Sequence, residues 1–292
     1  MKLPILLLII CVPFFALSQA TQTIHYKIYS TVTQKPVTVA DIINNMARAD
    51  VLFFGEEHKD STAHLLEFEL FKQLAQQYPG KTALSMEMFT TDCQLVLNEY
   101  LNGLIREKNL ISDARTWPNY KDYRPMVDLA KQSQIPVIAA NAPSRYTNMV
   151  TRNGLNSLQQ LDAQAKDYLP PLPIDTATGL YYDKFVKIIG GHALMAGMQI
   201  YQSQNLWDAT MGWSIAQFYK KHTNFKIMQI NGGFHSEEKM GAVVQLKKYA
   251  PKARVITIGA YADDSFDNPD WAKFSKLADY IILTDPRLPK SF

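Results

Sequence analysis

Apolar residues recur along this chain in two rhythms. Short unbroken runs such as Val51-Leu-Phe-Phe54 are bounded by Gly or polar residues, the pattern of strands buried on both faces. Between them lie longer stretches whose apolar residues return every three or four positions, the period of a helix with one buried side. Read in order, the signals predict a strand or hairpin arm over 23–31 and strands over 51–54, 82–88, 136–140, 225–230, 254–258 and 280–283. Helices are predicted over 38–48, 61–77, 92–105, from the loop 117–125 to 133, and over 181–189, 194–221 and 237–249. Thr38 with Asp41 makes a capping box for the first helix. Leu65, Phe68, Leu70, Phe71 and Leu74 mark the inward stripe of the second. The helix over 194–221 reads as broken near Ser203-Gln204-Asn205, and Pro170-Pro-Leu-Pro173 as a surface excursion. Strand and helix alternate, which predicts an α/β fold with a largely parallel central sheet flanked by helices. The stretch of about 144–221 is expected to be a helical insertion that covers one side of the pocket.

The strand signals end on polar residues. Val51–Phe54 runs into Gly55-Glu-Glu-His58, Lys226–Ile230 into Asn231-Gly-Gly-Phe-His235, and Ala83–Met86 stops on Glu87. Ligands in open α/β sheets sit outside the carboxyl ends of the strands, so these groups are expected to converge. Successive residues of an extended chain point to opposite faces, and Glu56 is preferred over Glu57 as the partner of His58. A carboxylate ending a buried run needs a partner of its own. Glu56, His58, Glu87 and His235 are therefore the candidate centre. Their chemistry leaves two readings open: ligands of a divalent metal such as Zn, Mn or Co, or a metal-free acid–base pair in which a carboxylate orients an imidazole. His64 reads as a helix-surface residue, His25 and His222 as surface, and His192 as either a helix cap or a pocket residue.

Composition places this chemistry in an ordinary globular protein. The 292 residues are 47% hydrophobic and 20% charged, enough for a full core, and no linker divides them. Lys2, the apolar run Leu3–Leu17 and Ser18-Gln19-Ala20 read as a signal peptide over 1–20, leaving 21–292 as a single domain. The run is short for a bilayer span, and bulky Ile10 before Cys11 disfavours lipid attachment. Export to the periplasm or beyond is the expectation. Cleavage leaves Cys93 alone, so no internal disulfide is available. A formal charge of +3 without a basic stripe excludes the usual footprint of nucleic-acid binding.

Several strings together carry a family resemblance. Gly-Glu-Glu-His58, Ser-Met-Glu-Met-Phe89, Trp117-Pro-x-Tyr120-x-x-Tyr123-x-Pro125, Ile-Pro-Val-Ile-Ala-Ala-Asn-Ala-Pro143, Trp207-Asp-Ala-Thr-Met211 and Asn-Gly-Gly-Phe-His235 resemble the ChaN-type haem-binding uptake family. That family is similar in turn to a superfamily with Tiki, TraB and erythromycin esterases. The resemblance implies haem as cofactor, a role in iron uptake beside an outer-membrane system, a homodimer with paired haems, and a tyrosine ligand to iron. It does not single out that tyrosine: Tyr120 and Tyr123 lie in a family motif, and Tyr181 and Tyr182 stand in the insertion near His192. The superfamily implies the alternative, a metal-dependent peptide or ester hydrolase built on Glu56, His58, Glu87 and His235.

Overall fold

Val51 to Phe54 point alternately to two faces of one sheet: Leu52 and Phe54 enter one apolar cluster, Val51 and Phe53 another. All four are fully buried, which is why the run shows no polar alternation. The computed structural model describes residues 25–190 and 198–292; the expected signal segment and His192 lie outside them. Eight strands form the sheet, with ranges Tyr26–Ser30 (β1), Lys35–Pro36 (β2), Val51–Glu56 (β3), Thr82–Thr90 (β4), Val137–Asn141 (β5), Lys226–Gly232 (β6), Val255–Ala262 (β7) and Tyr280–Thr284 (β8). Their order is β2-β1-β8-β7-β3-β6-β4-β5. The six strands from β8 to β5 run parallel, and the β1–β2 hairpin adds to β8 antiparallel.

The order has one consequence for chemistry. The chain leaves β3, builds β4 and β5 two and three places away, then returns to insert β6 between β3 and β4. The register pairs Gly55 with Asn231 and Glu56 with Gly232, while Met86 of β4 lies opposite Ile230. The two G-x-x-H exits and the Glu87 exit are thus neighbours at one rim.

Helices Val39–Asn45, Ser61–Gln77, Gln94–Leu101 and Tyr120–Gln132 pack the first face; Ile200–Lys221 and Ala242–Tyr249 pack the second. Thr38 and Asp41 form the reciprocal capping box expected for the first helix. Two expectations are corrected. Ile200–Lys221 is one uninterrupted helix, because the polar residues read as a break are partnered: the Ser203 hydroxyl donates to Thr147 O at 3.0 Å, and Asn205 Oδ1 accepts from Ala177 N at 2.7 Å. The inward stripe of Ser61–Gln77 is also turned. Leu65 is 70% exposed, while His64 and Glu67 share the buried side with Leu70, Phe71 and Leu74. No described helix is long and apolar enough to cross a membrane.

Candidate functional site

Glu56 ends β3 with its side chain buried among donors. Tyr123 OH donates to its Oε1 at 2.6 Å, and His58 Nδ1 donates to the same oxygen at 2.7 Å. A carboxylate can only accept, so the proton of His58 sits on Nδ1 and Nε2 is left for chemistry. Trp117 meets the His58 ring edge to face at 5.1 Å between centroids. Glu57 points away from this set, as strand alternation requires, toward the backbone of Ala262.

A second arrangement repeats the first. His235 Nδ1 lies 2.7 Å from Asp208 Oδ1, Tyr181 OH donates to Asp208 Oδ2 at 2.5 Å, and Trp207 stands edge to face with the imidazole at 6.3 Å. Gln204 Nε2 donates to Tyr181 OH at 3.1 Å and stands 3.0 Å from His235 Nδ1. Each imidazole is therefore oriented by a carboxylate that a buried tyrosine holds in place. Between them stands Glu87, which accepts from Gly232 N at 2.7 Å and lies 3.5 Å from His235 Nε2. Close approach at this point requires glycine: a Cβ at Gly232 would fall 2.8 Å from His58 Nε2.

Electrostatics separates the two imidazoles. Burial opposes a charge on His235, but Glu87 and Asp208 outweigh it and raise the ring to about 10; it is a cation at neutral pH. Burial likewise opposes ionisation of Glu87, and the His235 charge overcomes this to lower its pKa. For Glu56, burial is again the largest influence, yet the bond from His58 and the proximity of His64 and Glu67 hold the carboxyl down at about 2. His58 is raised, burial being outweighed by its bond to Glu56 and the field of Glu87. With its side chain 38% exposed, His58 is the accessible imidazole, whereas that of His235 is 9% exposed. A cavity of about 310 Å³ opens beside His58, Asp60 and Leu288, and one of about 360 Å³ beside Tyr181, Asp208 and Gly241.

The strand-end residues Glu56, His58, Glu87 and His235 thus lie in one connected network. Among the described residues, the group whose ligating atoms all come within 4.8 Å of one another is Glu56, His64 and Glu67. The aromatic candidates are placed differently. Tyr120 is buried with its hydroxyl unpaired among the described residues, and burial pushes its pKa up. Tyr123 is fully buried and committed to Glu56, whereas Tyr182 is 40% exposed, edge-on to Tyr201 at 5.0 Å. Sequence reasoning assigned no role to Asp208, Gln204, His64 or Glu67. Asp208 stood inside a motif already singled out. His64, Glu67 and Phe71 follow helical spacing on an apolar side, a signal that marks buried polar groups.

A family model described as "Haem-binding uptake, Tiki superfamily, ChaN" matches residues 42–246. The solved structure of Campylobacter jejuni ChaN, described as showing cofacial heme binding, is similar in fold, with a TM-score of 0.68 at 18% identity; the match covers 89% of this chain and 97% of that one. An erythromycin esterase, EreC, gives a TM-score of 0.46 at 9% identity, over 81% and 77% of the two chains. Among curated proteins, RETICULATA-RELATED 5, a chloroplastic protein of Arabidopsis thaliana, is 24% identical over 133 residues, which are 43% of this chain and 18% of that protein. The α/β architecture and the family match over most of the chain agree, and the protein belongs to the ChaN family of haem-binding uptake proteins in the Tiki superfamily.

Proposed function

We propose that this protein binds haem outside the cytoplasm and serves iron uptake beside an outer-membrane system, with a homodimer pairing two haems. The observation that carries this reading is the family match over 42–246; the apolar N-terminal run Leu3–Leu17, followed by Ser18-Gln19-Ala20, supports export. Tyr182 is the candidate iron ligand. A phenolate is an axial ligand suited to ferric haem, and it must reach solvent-side iron. Of the tyrosines considered, Tyr120, Tyr123 and Tyr181 are buried, and the last two already hold carboxylates. Tyr182 stands on the Leu180–Ile189 helix, which also exposes Leu180 and Ile188, apolar surface of the kind a porphyrin face covers. His192 lies a few residues beyond it, outside the described residues. Titration of haem-free protein with hemin is expected to give a shifted Soret band at stoichiometric ratio, weakened by Tyr182→Phe. Absence of any shift overturns the haem reading; an unchanged band in the variant moves the ligand elsewhere.

The convergence of two oriented imidazoles on Glu87 favours one second reading, hydrolysis of an ester or peptide. In this geometry His58 is the proton acceptor, its Nδ1 fixed by Glu56, and His235 supplies fixed positive charge beside Glu87. A chromogenic ester should be cleaved by haem-free protein and not by His58→Ala. A rate equal to buffer for both proteins eliminates the activity.

A further inference from the structure

One cluster lies behind the His58 pair and shares only Glu56 with the hydrolytic reading. Glu67, from the Ser61–Gln77 helix, is fully buried, and both its oxygens are without a hydrogen-bond partner among the described residues. The same holds for Glu56 Oε2 and His64 Nε2, on residues 3% and 5% exposed. Four ligating atoms from three side chains thus face one another without an aligned hydrogen bond, and two of them, His64 Nε2 and Glu56 Oε2, stand as a close ion pair. Each such atom taken from water without a partner is destabilising, and no described Lys or Arg pairs with any of the three. Asp60 and Asp122 add to the negative field at Glu67.

The free atoms are also aimed. Glu56 Oε1 is occupied by Tyr123 and His58, which leaves Oε2 to the cluster. His64 Nδ1 is held by Ser291 Oγ at 3.0 Å, which leaves Nε2. Outer contacts that fix one atom of a ligand and free the other are the usual support of a metal site. His64 Nε2 and Glu56 Oε2 are 2.9 Å apart but not aligned as a hydrogen bond. Adjacent ligands of an octahedral ion with bonds of about 2.1 Å stand about 3 Å apart.

We propose that Glu56, His64 and Glu67 form a buried binding site for one divalent transition ion, joined to the His58–Glu87–His235 network through Glu56 alone. One imidazole nitrogen with carboxylate oxygens suits Mn²⁺ or Zn²⁺. The C-terminal residues close this end, Ser291 N donating to Lys59 O and Ser61 Oγ to Pro289 O, so the ion exchanges when that segment lifts. Bound there, it fixes Glu56 from behind and with it the orientation of His58.

The test uses haem-free full-length protein purified without chelator, dialysed against Mn²⁺ or Zn²⁺ and assayed by elemental analysis. One ion per chain is expected, with affinity reduced about 100-fold or more in Glu67→Gln and in His64→Gln, and retained in His235→Gln. Pulsed electron paramagnetic resonance of the Mn²⁺-loaded wild type should show coupling to a single imidazole nitrogen, a readout that needs no variant to fold. The proposal is overturned by no binding at millimolar ion, as when the cluster holds only a proton. It is also overturned by equal binding in Glu67→Gln, by loss in His235→Gln alone, or by Mn²⁺ without nitrogen coupling.

Discussion

Replacing His235 with leucine should be the most damaging single change at the site, costing about 3–5 kcal/mol, because it leaves Asp208 and Glu87 buried with no cation between them. The raised pKa of about 10, against an ordinary value of 6.5, points the same way. The sign follows from the direction of the shift. A folded-state pKa above the unfolded one contributes stability fully present below pH 6.5 and lost as pH rises through about 10. Urea unfolding of the wild type should therefore weaken steadily from neutral pH toward pH 10, while the His235→Leu protein starts lower and changes less over that window. Glu56 acts in the opposite sense. Its carboxyl is held at about 2, so its contribution is present above its ordinary value and lost as pH falls toward 2. Nitrogen-detected NMR provides the direct check: the His235 ring should remain doubly protonated at pH 8. A neutral ring at that pH would remove the basis for both expectations.

The second large effect is expected at Gly212, far from any reacting group. This residue lies where the Ile200–Lys221 helix crosses Ala242–Tyr249, and a Cβ there would fall 2.6 Å from Leu246 N and 2.7 Å from Gln245 C. Backbone atoms inside a packed helix cannot step aside as a side-chain tip can. Alanine would gain about 1 kcal/mol of helix propensity, but overpacking of this kind costs about 1–3 kcal/mol and sometimes more. The net result for Gly212→Ala is destabilisation and a melting temperature lower by several degrees. Separating the helices also draws Asp208 and Gln204 away from His235, so the imidazole pKa should fall in the same protein. Unchanged melting would mean that the two helices do not approach as closely as described.

The two expectations mark how far the residues themselves could be read. Apolar runs at Val51–Phe54 and Lys226–Ile230 announce doubly buried strands, since no other element hides consecutive side chains on both faces in so short a length. Glu56, His58, Glu87 and His235 were legible as strand-exit residues for the same reason. The inward side of Ser61–Gln77 was misjudged because Leu65 is apolar and His64 and Glu67 are not. A periodicity count assigns burial by residue type and cannot see a pocket that needs polar groups. The break expected at Ser203–Asn205 failed similarly, because those side chains find partners distant in sequence.

By itself, the amino-acid order determined the alternation of strands and helices, the capped starts, and the polar exits that carry the chemistry, all local consequences of side-chain period and turn preference. Only the tertiary structure decided that β6 inserts between β3 and β4, that Asp208 and Glu56 each take an imidazole, and that Glu67 lies buried beside His64. Those outcomes depend on crossings of the sheet and on pairings between residues far apart along the chain. Burial then sets the charge of each group, and burial is a property of the packed whole.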